Sequence, residues 1–442
     1  MATRSPAIAV IGPHSTARLL PPWTLALSLN GFFLYLAVLR LLGRAPRTAT
    51  TGAWYALVGL LCLIGVWLNR ETLIRRLAVR SRPATTYVLA GVALAGWFLL
   101  NVVLLSHGSL SRTLAALLVL WTLPSAALAL SLPREAIRTA AAAIGALGVL
   151  FALIELGALA HDPHATRFSP IAHLDPISAA QYPALGAIAL LALTPRTLRT
   201  EVARAVAVAL LCAGAVLPGS RGPVVALCVA VVVAAAFLRR RAWLLLGPAI
   251  VAGLVLGYGG TRLVGSSTYL TSSIPGASGL GGSGSESSGN ESDKTSAQQP
   301  QQPPPISTMH IRREWWTSAI EAIPSAPIVG HGVAMFVDNT PEAKRMGVAG
   351  ERTYPHNSPL ESLYSLGLLG ALPYLALLAA GVAALVLLGR RPAGPPLVFA
   401  AGLYAFAFVS SNLSGEIGAD APLWAAGALA VALYAEPTAA SR

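Results

Sequence analysis

Apolar runs alternate with short, arginine-bearing connections along most of the chain, at 23–42, 51–68, 83–105, 112–132, 136–160, 179–194, 204–218, 223–238, 242–258, 359–388, 393–410 and 421–435. A perpendicular helix needs about 20 residues to cross the hydrocarbon layer of a bilayer. The pattern therefore predicts an all-α fold, a polytopic transmembrane helix bundle of about 12 spans, with the shorter runs free to shift at their ends or to form a re-entrant pair. The organisation has three parts. Residues 1–258 carry N-terminal transmembrane helices, about nine spans by this reading. Residues 259–355 form one long loop, and 356–442 return to the membrane for about three spans.

The long loop has two unlike halves. Residues 265–307 are Gly/Ser-rich and then Gln/Pro-rich, with almost nothing to bury, which predicts a disordered spacer. From Thr308 the period changes. Ile311, Trp315, Trp316, Ile320 and Ile323 recur at helical spacing, predicting an amphipathic helix over 308–323 that lies on the membrane or on the bundle. Pro324 and Pro327 end it, and Ile328 to Gly332 read as a turn before the chain comes back at His356.

Composition agrees with the pattern. Hydrophobic residues make up 55% of the 442, charged residues 11%, and the mean hydropathy is +0.65, outside the range of soluble domains. The formal net charge of +13 is not a sign of nucleic acid, because most basic residues sit in short connections where they set topology. With the N-terminus inside, eighteen arginines fall in inner segments against six in short outer loops: Arg40, Arg44, Arg47, Arg112, Arg167 and Arg221. This predicts an inner or plasma membrane protein with both termini cytoplasmic and its carboxylates from Glu286 to Glu361, with Glu416 and Asp420, on the outer side. The first 22 residues lack a clear small-residue cleavage site and read as a retained tail. Cys62, Cys212 and Cys228 lie in apolar runs without metal or disulfide spacing and read as small core residues.

The outer side gathers the candidate chemistry. In His356-Asn357-Ser358-Pro359-Leu360-Glu361, Ser358 is placed to cap a helix, Pro359 fits its first position and Glu361 completes a capping box. His356 and Asn357 then stand at a helix N-terminus, where an anion is welcome and an imidazole is biased towards its neutral, proton-accepting form. Gly367 and Gly370 share a face that a neighbouring helix can approach. Arg221 sits in Pro218-Gly219-Ser220-Arg221-Gly222-Pro223, a tight turn presenting a guanidinium suited to phosphate oxygens, although an interfacial arginine is also common at span ends. Arg312 and Arg313 open the loop helix beside two tryptophans and suit either lipid headgroups or a diphosphate at the same depth. His356 is the best candidate base, with Glu416 and Asp420 as competitors more simply read as solvated or binding groups. His161, His164 and His173 with Asp162 and Asp175 lack the spacing of a metal site. No metal and no cofactor are expected.

These residues carry a family resemblance. His356-Asn357, nine residues, then Gly367-Leu368-Leu369-Gly370 resembles the H[NSQ]x9GxxG signature of the O-antigen ligase and O-antigen polymerase superfamily. Ser220-Arg221-Gly222 is similar to its SRG turn. Arg312 to Trp316 followed by Pro327-Ile328-Val329-Gly330-His331-Gly332 resembles its RxxxW and PxxGxG segment. The first half of the chain agrees only in hydropathy, with Arg167 to Asp175 a faint match. After Gly370 stands Ala371-Leu372, where the nearest ligases have Thr-His, and this leaves ligase and polymerase open. The resemblance implies a metal-independent, inverting transfer of a glycan from an undecaprenyl diphosphate carrier to an acceptor hydroxyl. It puts catalysis on His356 and diphosphate binding on Arg221 and Arg312, with Arg313 beside them as a further diphosphate-binding group and Asn357, Glu361, Gly367 and Gly370 in support. The expected partners are the lipid-linked donor, a glycan or lipid acceptor and membrane lipids.

Two other classes fit the hydropathy. A transporter would place polar groups at span midpoints and break its helices. Only Glu155 and a few prolines such as Pro124 and Pro248 suggest that. A scaffold binding partners through its Gln/Pro-rich loop would leave the arginine and histidine segments unexplained.

Overall fold

Under each predicted apolar run the computed structural model has a helix; the structure describes residues 13–79, 81–161, 171, 174–195, 197–238, 240–263, 308–339, 355–390 and 394–436. Among the described residues every regular element is helical. The order is α1 Pro13–Asn30, α2 Phe32–Leu41, α3 Thr48–Leu68, α4 Arg70–Ala78, α5 Arg82–Leu104, α6 Ser109–Leu117, α7 Leu123–Ser131, α8 Arg134–His161, α9 Pro176–Leu191, α10 Leu198–Val216, α11 Arg221–Ala235 and α12 Arg240–Leu263. Then come α13 Thr308–Ala322, α14 Phe336–Asn339, α15 Ser358–Gly389, α16 Pro395–Ser414 and α17 Ala421–Ala435. A five-residue π turn, Leu118–Thr122, joins α6 to α7.

Seven of the helices, counting Ser109–Ser131 as one, are long and apolar enough to cross a membrane. An eighth span results if α1 and α2, bent by 76° at their junction, are taken together. The expected spans at 179–194, 223–238 and 421–435 correspond to short apolar helices, so the count of membrane crossings stays below the twelve apolar runs by this measure. The chain is a multi-pass membrane protein.

The hydrophobic pattern alone does not separate lipid-facing from protein-facing sides, and the packing does. α17, apolar all round, is buried on nearly every residue, including Trp424 at 2% exposure, and it sits in the middle of the bundle against α5, α7, α15 and α16. A helix without a polar face belongs in such a core. α3 and α12, equally apolar, keep many of their leucines and valines exposed, as a lipid boundary requires. Of the cysteines, Cys62 and Cys212 are buried as expected, whereas Cys228 is exposed on α11.

At the junction of α1 and α2 a buried amide bonds across to neighbouring helices. Asn30, fully buried, donates through Nδ2 to the carbonyls of Ile144 on α8 and Tyr182 on α9, at 3.2 and 3.3 Å. Burying an amide without such partners costs a few kcal/mol, roughly 1–3. The same device recurs, more fully, at the candidate site.

Candidate functional site

α15 is two helices joined at Gly367, whose φ of 61° and ψ of −164° lie where only glycine is comfortable. The break strands carbonyls before it and amides after it. The turn at 327–332 fills both. Tyr364 and Ser365 accept from the amides of His331 and Gly332 at 2.9 and 3.0 Å, and Leu368 and Leu369 donate to Pro327 and Ile328 at 2.9 and 3.1 Å. Such close backbone contact leaves no room for a side chain. A Cβ on Gly330, itself at φ 78°, would lie 2.4 Å from the Ser365 oxygen, and one on Gly367 would lie 2.3 Å from the Ile328 oxygen. The PxxGxG segment and the first glycine of GxxG are thus the two halves of one backbone clasp. The approach expected at the GxxG face is made by a loop and not by a helix, and Gly370 faces the Leu366 side chain of its own helix.

Two residues from the first half of the chain complete the clasp. Asn101 on α5 is fully buried; its Nδ2 donates to Val329 and Ser365 at 3.0 and 3.2 Å, and its Oδ1 accepts from the Val333 amide at 3.0 Å. Trp97, one turn earlier, donates to Leu366 at 2.8 Å. Sequence reasoning passed over both. A lone asparagine in an apolar span was the available signal, since a buried amide there needs a partner. Asn101→Leu removes the partners of the Val329 carbonyl and the Val333 amide, and at about 1–3 kcal/mol for each buried group left unpaired it is expected to lower the melting temperature in detergent clearly. Asn101→Asp, which keeps the acceptor and loses the donor, is expected to give a different and separately measurable loss.

α13 lies over this clasp. Its observed limits agree with the predicted helix over 308–323, and the chain turns at Ile323–Ser325 around Pro324. The packed face is made by Trp315, Ala319, Ala322 and Ile323 against Phe336, Leu360 and Tyr364. Ile320, expected on that face, is 59% exposed; an apolar residue one position past Ala319 points some 100° away from it. Tyr364 is also stacked on His331, ring centroids 4.6 Å apart, and a His331 ring nitrogen lies 2.9 Å from the Ala322 carbonyl. That histidine ties α13 to α15.

His356 stands where the chain enters α15. Its φ is 53°, a left-handed conformation rare outside glycine, and it is fixed from both sides. Trp316 Nε1 donates to Pro355 at 2.5 Å, and the Trp315 ring stacks on the imidazole with centroids 5.6 Å apart. The cap falls one residue earlier than expected. Asn357 Oδ1 accepts from the Leu360 amide at 3.0 Å, while Ser358 donates to the Ser411 carbonyl at 3.1 Å and bonds the Ser411 hydroxyl at 2.7 Å. Nor does Glu361 complete a capping box. It is 5% exposed and turns inward, towards the Ile417 amide and the carboxylates of Glu416 and Asp420. Those two, expected as solvated or binding groups, are enclosed as well: Glu416 is 9% exposed, and Asp420 caps α17 through the Leu423 amide. Burial raises the Asp420 carboxyl to about 6.

Arg312 and the segment that carries Arg221 both reach the C-terminal end of α16. Arg312 donates through Nη1 to the Leu413 carbonyl at 2.8 Å, and it lies close enough to His356 to act on its charge. Burial first, and then Arg312, lower the imidazole to about 3. Arg221 begins α11 after Gly219, which turns the chain at φ 71°; the next residue, Gly222, lies against Leu413 and Ser414. Gly222, the neighbour of Arg221, and Arg312 therefore both meet Leu413 of α16, and His356 borders Arg312. Arg313 is exposed.

Of the histidine and aspartate loop, whose spacing did not suit a metal, Asp175 serves as the α9 cap, accepting from the Ile177 and Ser178 amides at 2.9 Å. Asp162, His164 and His173 lie outside the described residues, as does the 265–307 spacer. Among the described residues no His, Cys, Asp and Glu group is arranged to hold a metal ion.

Residues 206–375 match the family model described as O-antigen ligase. Over that segment the chain is similar to an O-antigen ligase domain. The matched segment runs from α10 through the clasp and takes in Arg221, Arg312, His356, Gly367 and Gly370. No curated protein matches the chain. The O-antigen ligase domain supports a membrane glycosyltransferase of the ligase or polymerase type, and Asn101 and Trp97, which brace it, come from outside the matched segment.

Proposed function

We propose that the protein transfers a glycan from a polyprenyl diphosphate, of the undecaprenyl type, to an acceptor hydroxyl at the outer membrane surface. The observation that carries this reading is the placing of a neutral, clamped imidazole beside Arg312 at a helix N-terminus. A good leaving group and a hydroxyl need little else. The acceptor oxygen attacks the anomeric carbon, its proton passes to His356, and the carbon–oxygen bond to the diphosphate breaks with its electron pair leaving on the diphosphate. Attack from the face opposite the leaving group inverts the anomeric centre. Arg221 and Arg312, with the α15 N-terminus, stabilise the charge that grows on the leaving oxygens. A metal ion is not required for that. Ligase and polymerase use the same donor half of this reaction and differ in the acceptor.

The test separates binding from turnover. Donor binding and glycan transfer are measured on purified protein in liposomes with a polyprenyl-diphosphate glycan. Arg221→Ala and Arg312→Ala are expected to weaken both, with about 2.7–4 kcal/mol of transition-state stabilisation as the scale of losing one preorganised donor. Lysine at either position restores only part, since an ammonium keeps charge but lacks the planar fork. A chelator leaves the rate unchanged. Activity abolished by chelator and restored by a divalent ion would overturn the metal-free mechanism.

A further inference from the structure

At the end of the bundle opposite His356, the start of α8, the end of α9, the start of α10 and Pro395 of α16 line an open cavity of about 700 Å³. The two ends are well separated. α10 carries Arg204 in its second turn and delivers the chain to the Arg221 turn beyond its last residue, and at 1.5 Å per residue that is roughly 25 Å. α16 likewise has Pro395 at the cavity and Leu413 at Arg312.

The cavity is amphipathic. Arg138, Arg204, Thr194 and Thr200 line its mouth, and Ala142, Ala146, Val149, Leu190 and Ala207 its wall. The wall stays open because Ala142 and Ala146, one turn apart on α8, and Ala207 on α10 are too short to fill the gap between their helices. At the mouth, Arg204 is only 8% exposed. Its Nη1 donates to the Leu193 carbonyl, its Nη2 lies 3.8 Å from the Glu201 carboxylate, and its Nε has no partner among the described residues. Arg138 adds a second cation that makes no ion pair among the described residues, and the Arg134 guanidinium lies beside Gly394, next to Pro395. Three arginines against Glu201 and the exposed Glu135 of α8 still leave positive charge beside an apolar slot. Burying a guanidinium is costly unless an anion meets it, and a cavity of this size is in the range that holds a small ligand.

We propose that this cavity binds an anionic phospholipid, its phosphate between Arg138 and Arg204 and one acyl chain along the α8 and α10 wall. The arginine distribution assigns this end to the cytoplasmic leaflet, where basic pockets between helices take acidic headgroups. The occupant joins α8, α10 and α16, so binding stabilises the fold. The proposal does not depend on the glycan-transfer reading.

The experiment uses the full chain in detergent, titrated with dioleoyl phosphatidylglycerol, dioleoyl phosphatidylcholine or inorganic phosphate. Lipid occupancy is read by native mass spectrometry and stability by thermal unfolding. Phosphatidylglycerol is expected to be retained and to raise the melting temperature, phosphatidylcholine to do neither, and excess phosphate not to displace the lipid. Arg138 is exposed, so Arg138→Gln leaves the fold intact; it and Ala146→Trp, which fills the wall from an exposed position, should each lower occupancy about tenfold. Arg112→Gln at the other end should change nothing. Equal retention of the two lipids, displacement by phosphate alone, or unchanged occupancy in both cavity variants would each overturn the proposal, the second by showing a free-anion site.

Discussion

His356→Ala is expected to lower glycan transfer by roughly 10²-fold or more, the usual scale of general-base help, while donor binding stays close to that of the unaltered protein. The imidazole is not among the groups assigned to the diphosphate, so its removal leaves the ground-state contacts in place. His356→Asn is the better-controlled partner, because asparagine tolerates the left-handed backbone that His356 adopts and supplies no base. The pH profile tests the same group independently. In the free protein burial and Arg312 hold the imidazole at about 3, so it stays a proton acceptor across the neutral range but a weak one. A bound diphosphate places negative charge beside it, offsets Arg312 and favours the imidazolium, which raises the value. The acid limb of kcat, which reports the complex, is therefore expected at higher pH than that of kcat/KM, which reports the free enzyme. Full activity in both His356 variants would exclude the histidine as base.

The second large effect is structural. Gly367→Ala places a Cβ 2.3 Å from the Ile328 oxygen and 2.5 Å from the Gly330 nitrogen, atoms of the backbone that cannot rotate away. The residue must also hold a conformation that costs about 1–3 kcal/mol for anything but glycine. Relief of the clash pulls the 327–332 turn from the break and loosens four backbone hydrogen bonds, worth about 0.5–1.5 kcal/mol each. Loss of several kcal/mol is expected, seen as a markedly lower melting temperature and a collapse of activity, since α13 and its tryptophans rest on the same turn. Gly330→Ala should behave alike. Gly96→Ala on α5, where nothing lies within 4 Å, should be close to neutral. A melting temperature for Gly367→Ala equal to that of Gly96→Ala would show that the clasp does not hold the break.

The sequence by itself determined the helices and the polar motifs between them. Runs of apolar residues must be helical inside a bilayer because no water is present to satisfy the backbone, and so every predicted run has its helix. The end of the loop helix at Pro324 was equally legible, since proline acts through local geometry. The SRG, PxxGxG and HNx9GxxG stretches could be placed in order along the chain for the same reason. What required the tertiary structure is everything decided by a partner distant in sequence. Hydropathy cannot tell α17 in the core from α3 at the lipid, because hydrocarbon and protein interior are both apolar. Asn357 and not Ser358 caps α15 because Ser411 of α16 takes up the serine. Glu361 looks like a capping group, and Glu416 and Asp420 like solvated or binding ones, until the α16 to α17 turn folds over them. The glycine of GxxG permits a broken helix only because the turn at 327–332 and Asn101 of α5, far apart along the chain, supply the hydrogen bonds that the break leaves open. Local geometry is written in neighbouring residues; satisfaction of buried polar groups is settled by which distant segments arrive beside them.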